Sequence, residues 1–214
     1  MNVLINITSY DRKEMLEETL SQLKGYDVVV WDDNSNFRLT GDFYFYQFSK
    51  NYGKKNAWRK FQRIFNFILN EYDYDYYIFI PDDVVLCKDF VKKSIELYES
   101  ILDNSKICLS LLSDDRIKAP CWTNLQPKIK GDVILSQWND LCFIAERKFF
   151  EEVNIRYINP DRWEGEKRLG SGVGGQISRN LLSKGYNMYH AKDTLCEHRK
   201  GHISKMNNYA GLRN

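Results

Sequence analysis

The sequence predicts an α/β fold: a single domain on a mixed, mostly parallel sheet with helices on both faces. Three observations lead there. Short continuous apolar runs, the pattern of strands buried on both sides, alternate with stretches of helical periodicity in the order β-α-β-β-α-β as far as Ile80. Three polar clusters, Thr8-Ser9-Tyr10, Asp32-Asp33 and Asp82-Asp83, each fall at the C-terminal end of an expected strand, where open α/β sheets bind their ligands. The 214 residues, 43% hydrophobic and 28% charged, suit one globule large enough to bury a core.

Taken in order, residues 3–7 (Val-Leu-Ile-Asn-Ile) read as a buried strand. Asp11 followed by Glu14 has the spacing of a helix N-terminal box. Met15, Leu16, Leu20 and Leu23 then recur at helical spacing until Lys24-Gly25 stops the helix. Residues 27–31 and 43–48 read as the second and third strands. The next helix, 57–69, sets Trp58, Phe61, Ile64, Phe65 and Ile68 on one stripe. A fourth strand, 76–80, runs into Pro81-Asp82-Asp83.

The second half is less regular. A helix is expected over 88–102, a strand over 107–112 and a long loop over 113–131. A strand at 141–145, a short helix at 147–153 and a Gly-rich loop at 159–175 follow. Residues 176–184 read as a helix closed by Gly185, and 186–189 and 194–197 as short strands. Beyond His198 there is no apolar periodicity.

Composition narrows the class of protein. No apolar run approaches the ~20 residues that span a bilayer, and the N-terminus lacks a signal-peptide pattern. The five cysteines (Cys87, Cys108, Cys121, Cys142, Cys196) are odd in number and contain no C-x-x-C pair. They fit a reducing, cytoplasmic setting better than a disulfide framework or a zinc site. The net charge of +2 is unevenly spread: from Arg179 onward there are seven Lys or Arg against two Asp or Glu. A basic tail on a mildly acidic body suits an anionic ligand or partner.

Asp82-Asp83 is the sharpest local signal. Two adjacent carboxylates crowd negative charge unless a cation relieves it, and hard cations such as Mg²⁺ or Mn²⁺ bind one or two carboxylates together with substrate phosphates. Read otherwise, the pair is an Asp-rich turn that caps a helix. Asp32-Asp33-Asn34-Ser35 repeats the pattern one strand earlier, either as a strand-end acid facing a ribose or base or as an Asx turn.

Together these pieces resemble the glycosyltransferases of the GT-A (Rossmann-like) fold, most closely family-2-like enzymes. The resemblance rests on residues 5–12 (Ile-Asn-Ile-Thr-Ser-Tyr-Asp-Arg), Trp31-Asp32-Asp33-Asn34-Ser35, the Asn51-Tyr52-Gly53-Lys54 segment running to Ala57, and Ile80-Pro81-Asp82-Asp83. It covers the first half of the chain well and the second loosely. It implies a nucleotide-binding half (1–103), an acceptor-binding half (104–198) and a basic tail (199–214). By this resemblance Thr8, Tyr10 and Asp33 contact base or ribose with Asp32 in support, and Gly53 and Lys54 lie beside the nucleotide. Asp82-Asp83 is the D-x-D-type element, with Asp83 the direct ligand of Mn²⁺ or Mg²⁺. Thr194-Leu195-Cys196-Glu197-His198 resembles the late strand that ends in a metal-binding His, with His202 as the next candidate. Lys200, in the tail, is placed on the diphosphate.

The chain departs from that family where the catalytic base should stand. Counting back about twelve residues from Gly185-Tyr186 reaches Val173-Gly174 and no carboxylate. An inverting displacement still needs a group to take the acceptor proton. Asp140 and Asp161 are the leading candidates, ahead of Glu164 and Glu166, and a retaining course stays open. Trp122, Trp138 and Trp163, all in expected loops, are candidates to stack on a sugar or base. The expected activity is transfer of a hexose or pentose from a nucleoside-diphosphate sugar, UDP-linked by preference, to a glycan hydroxyl. Two alternatives remain: the same chemistry on a hydroxylated base in DNA, received as a flipped nucleotide, and a nucleotidyltransferase or non-catalytic sugar-nucleotide binding module.

Overall fold

The computed structural model describes residues 2–112, 128–139, 141–158 and 172–199. The first half runs β1 (Val3–Ser9), α1 (Lys13–Ser21), β2 (Asp27–Asp32), β3 (Tyr44–Gln47), α2 (Ala57–Glu71), β4 (Tyr76–Pro81), β5 (Val84–Leu86) and α3 (Phe90–Glu99). The second runs β6 (Lys106–Ser110), β7 (Lys128–Lys130), β8 (Val133–Leu135), β9 (Phe143–Ala145), α4 (Arg147–Glu152), α5 (Val173–Ser183), β10 (Asn187–Ala191) and β11 (Cys196–His198).

Nine strands form one sheet in the order β3-β2-β1-β4-β9-β6-β10-β8-β7, and β11 pairs with β5 in a separate two-stranded sheet. The ladders β1-β2, β1-β4, β2-β3 and β6-β10 are parallel and hold most of the paired residues. β9 lies antiparallel between β4 and β6, and β8 and β7 continue antiparallel beyond β10. The central strands are apolar on both sides because both faces are covered. Leu4, Val29, Tyr77 and Phe79 pack toward α2, α4 and α5. Ile5, Ile7, Val28, Val30, Ile78 and Ile80 pack toward α1 and α3. The expected α/β layering, with helices on both faces, is the observed one.

The apolar stripe of α2 explains its place. Phe61, Ile64, Phe65 and Ile68 are buried, and the Phe65 ring meets Phe79, Phe149 and Phe150 edge-on at centroid distances of 5.5, 5.9 and 5.2 Å. Such aromatic pairs add to the stabilisation from area buried.

Four local expectations are corrected. The Asp11-Glu14 box does not form: α1 begins after Arg12 with no side-chain cap bond. Asp11 takes a left-handed conformation (φ 51°), and its N–H donates to Ser35 Oγ at 2.6 Å. A long-range tie there outcompetes the local one. β5 stands where no strand was expected, because its partner β11 comes from the far end of the chain, and α3 accordingly starts at Phe90 rather than at 88. The expected loop 113–131 ends in a strand: β7 and β8 form a hairpin around Gly131 (φ 61°). The Lys-Ile-Lys-Gly-Asp-Val-Ile-Leu pattern carries that signal, a Gly-Asp pair between short strand-like runs. Finally, α5 begins at Val173, so Gly174 and Gly175 lie buried inside its first turns.

Candidate active site

The parallel register brings the three polar clusters to one edge. Ser9 pairs with Asp32, and Thr8 pairs with Trp31 on one side and Pro81 on the other. Just past the strands, the Asp33 N–H donates to the Ser9 carbonyl at 2.9 Å and the Asp82 N–H to the Thr8 carbonyl at 3.1 Å. Four carboxylates thus converge on the C-terminal edge of β2-β1-β4. Thr8 and Tyr10 are half-buried between them.

The Asp32 and Asp33 carboxylates are buried and engaged within the chain. Asp32 accepts from the Ser35 N–H at 2.7 Å, from the Ser35 hydroxyl, and from Gln47 Nε2 at 3.1 Å. That set is a closed Asx-type turn. Asp33 accepts from the N–H groups of Tyr52 (2.8 Å) and Gly53 (3.2 Å) and pairs with Lys60 Nζ at 3.2 Å. Lys60 is 2% exposed, so its charge and that of Asp33 neutralise one another inside the protein. Asp33 therefore clamps the 51–54 turn against the sheet edge and holds Gly53 and Lys54, both half-buried, beside it. Gly53 is needed there: its φ is +53°, and a Cβ would stand 3.1 Å from Asn51 Oδ1.

Asp82 and Asp83 are also buried, and between them lies Arg12. Arg12 Nη2 meets Asp82 Oδ1 at 2.5 Å and Arg12 Nη1 meets Asp83 Oδ2 at 2.7 Å, one guanidinium bridging two carboxylates. The other Asp82 oxygen accepts from the Ser9 hydroxyl (2.8 Å) and the Tyr10 N–H (3.3 Å). Burial pushes the Asp82 carboxyl up to about 6, with Arg12 pulling it back and Asp83 adding to the rise. Asp83 turns its remaining oxygen, Oδ1, to His198 Nδ1 at 3.3 Å. The β5-β11 ladder makes that meeting possible: His198 pairs with Val84, next to Asp83, and the Arg199 N–H donates to the Asp83 carbonyl at 2.9 Å.

Asp83 and His198 suit a divalent cation. A separation of 3.3 Å is that of two neighbouring ligands, each about 2.0–2.4 Å from one ion. His198 keeps 27% of its side chain open to solvent, so an ion has a way in. Among the described residues no group of three or more His, Cys, Asp or Glu is arranged to hold a metal ion by itself. The other coordination positions would fall to diphosphate oxygens and water. Arg199 is tied to Glu18 through Nη1 at 2.8 Å, while its buried Nε and Nη2 have no hydrogen-bond partner among the described residues.

The structure brings together Thr8, Tyr10, Asp32, Asp33, Gly53, Lys54, Asp82, Asp83 and His198. Asp140, Asp161 and Lys200 lie outside the described residues, as do Glu164, Glu166, His202, Trp122 and Trp163. Trp138 is half-buried, and its carbonyl faces His190 Nε2 at 2.8 Å. Sequence reading missed the two cations, Arg12 and Lys60. The available signal was charge balance: four carboxylates at one sheet edge require positive partners, and both residues stand at the start of a helix that begins at that edge.

No model of a known protein family matches the chain, and no curated protein matches it. Solved structures do. The chain is similar to glucosyl-3-phosphoglycerate synthase from Mycobacterium tuberculosis in complex with Mn²⁺ and uridine-diphosphate-glucose, with a TM-score of 0.54 and 12% identity over 94% of this chain and 72% of that one. The same enzyme in complex with phosphoglyceric acid gives a TM-score of 0.50 and 13% identity with the same coverage. The fold is GT-A-like. At these identities the likeness carries the architecture, and the site has to be argued from its own residues. No helix among the described residues is long and apolar enough to cross a membrane.

Proposed function

We propose that the protein is a metal-dependent glycosyltransferase that moves a sugar from a nucleoside-diphosphate sugar, UDP-linked by preference, to an acceptor hydroxyl, with a glycan as the acceptor class. The observation that carries this reading is the pairing of Asp83 Oδ1 with His198 Nδ1 at 3.3 Å, at the sheet edge where α/β folds bind nucleotides. The similarity to a structure holding Mn²⁺ and uridine-diphosphate-glucose supports it.

In this reading Thr8 and Tyr10 meet the base and ribose. Asp33 adds an acceptor toward the base while anchoring Gly53 and Lys54 against the nucleotide, and Asp32 keeps the turn closed. Asp83 and His198 hold Mn²⁺ or Mg²⁺, which would offset charge on the departing diphosphate. Asp82 keeps Asp83 in place through their shared arginine. The spare donors of Arg199, and Lys200 after it, bind the diphosphate oxygens and limit access of water to the donor. The acceptor proton goes to a carboxylate, Asp140 or Asp161, as an inverting displacement requires.

The test is a thermal-unfolding panel of UDP, GDP, CDP and dTDP, each with Mn²⁺ and with EDTA. The proposal expects one nucleotide to raise the midpoint by several degrees with Mn²⁺ and to lose most of that rise in EDTA. If no nucleotide shifts the midpoint under either condition, the donor reading is wrong.

A further inference from the structure

Arg12 is 9% exposed and bridges Asp82 and Asp83, and in the proposed transfer it touches neither donor nor acceptor. Its guanidinium reaches Asp82 Oδ1 at 2.5 Å and Asp83 Oδ2 at 2.7 Å. Those contacts do two things. They fix the Asp83 carboxylate with Oδ2 turned inward and Oδ1 presented to His198 Nδ1 at 3.3 Å. They also place one positive charge on a pair of carboxylates that would otherwise carry two negative ones.

We propose that Arg12 is the residue that sets the order of ligand affinity in this site, weakening a divalent cation on its own and strengthening a nucleoside diphosphate on its own. The inference rests on the donor reading above. With both carboxylates ionised, Asp82, Asp83 and Arg12 together carry one negative charge. A dication arriving alone leaves the buried cluster at +1, which a low-dielectric environment resists. The diphosphate brings the compensating negative charge. Without Arg12 a dication would meet the carboxylates with no competing positive charge beside them, and a diphosphate would lose the one cation that offsets their charge. The electrostatic effect on the two ligands is therefore opposite in sign. A purely structural role has a different signature, because a disordered site binds both ligands less well.

The experiment measures two affinities separately at pH 8: Mn²⁺ alone, from the free-ion electron-paramagnetic-resonance signal, and UDP alone in EDTA, by calorimetry. Arg12→Gln should bind Mn²⁺ more tightly and UDP more weakly, each on the order of tenfold, the scale on which a unit charge at contact distance acts on a neighbouring charge. Arg12→Lys, which keeps the charge, should stay within about threefold of the unaltered protein for both ligands. Loss of a buried ion-pair partner can unfold a chain, so Asp82→Asn supplies the reverse test with Arg12 still paired to Asp83. It makes the site less negative and should weaken Mn²⁺ while tightening UDP. Both affinities falling together in Arg12→Gln, or moving in the same direction in Asp82→Asn, would overturn the proposal, as would no change in either variant. If the unaltered protein binds neither UDP nor Mn²⁺ with UDP present, the donor reading itself falls and this inference falls with it.

Discussion

In the proposed site Asp83 and His198 would each give one atom to a cation, and that economy makes single changes informative. Asp83→Ala should abolish Mn²⁺-dependent stabilisation by UDP while the protein still folds, because Arg12 keeps Asp82 as its partner. Thermal unfolding with and without UDP and Mn²⁺ checks both halves of that statement. His198→Ala should weaken Mn²⁺ by a smaller factor, since imidazole is the neutral ligand of the two. Unchanged Mn²⁺ dependence would move the assignment to His202. Asp82 supplies a pH signature. Burial lifts its carboxyl from 3.8 to about 6, so on acidification the folded chain takes up this proton before the unfolded chain does. The protonated form is the one the fold favours. Its contribution to stability is complete below about pH 4 and is lost as the pH rises through about 6. Asp82→Asn should flatten that part of the stability profile when urea unfolding is followed from pH 4 to pH 7 in EDTA. Parallel profiles for the two proteins would count against the shift.

At the scale of elements, the site depends on pieces that meet from distant parts of the chain. β11 brings His198 beside Asp83 only because β5 offers it a partner, and the 51–54 turn sits at the sheet edge only because Asp33 holds its N–H groups. Gly53→Ala should therefore lower nucleotide affinity with a modest loss of stability, of order 1–2 kcal/mol for a left-handed non-glycine residue. The comparison to make is calorimetric UDP binding against the urea midpoint. Away from the site, α2 is locked to the sheet through Phe65, whose ring touches β4 and both phenylalanines of α4. Phe65→Ala should cost about 3–5 kcal/mol and lower the thermal midpoint by roughly 10 °C. A loss under ~1 kcal/mol would mean that this aromatic cluster repacks.

For the molecule as a whole, the proposed metal site, with two protein ligands and a diphosphate as the third partner, predicts linked binding. Mn²⁺ alone should shift the midpoint little. UDP with Mn²⁺, at about 100 times the joint dissociation constant, should add about 2.7 kcal/mol, which is several degrees at this chain length. Equal shifts from Mn²⁺ alone and from the pair would argue for a complete protein cage instead. The amino-acid pattern determined much of this by itself. Continuous apolar runs such as 76–80 can only be strands covered on both faces, and the stripe on α2 can only pack inward, because burying those side chains is the largest favourable contribution to folding. Adjacent carboxylates after two strands marked the sheet edge of the candidate site. Tertiary structure alone decided which partner each of those carboxylates meets. Asp33 is matched by Lys60 from α2, Asp82 by Arg12, and Asp83 turns one oxygen to a histidine 115 positions away in sequence. Counter-charges for buried acids are recruited across the sheet, where desolvation forces a partner on every ion, and no local spacing records which residue will answer. The same reason hid β5, a strand whose partner lies at the opposite end of the described chain.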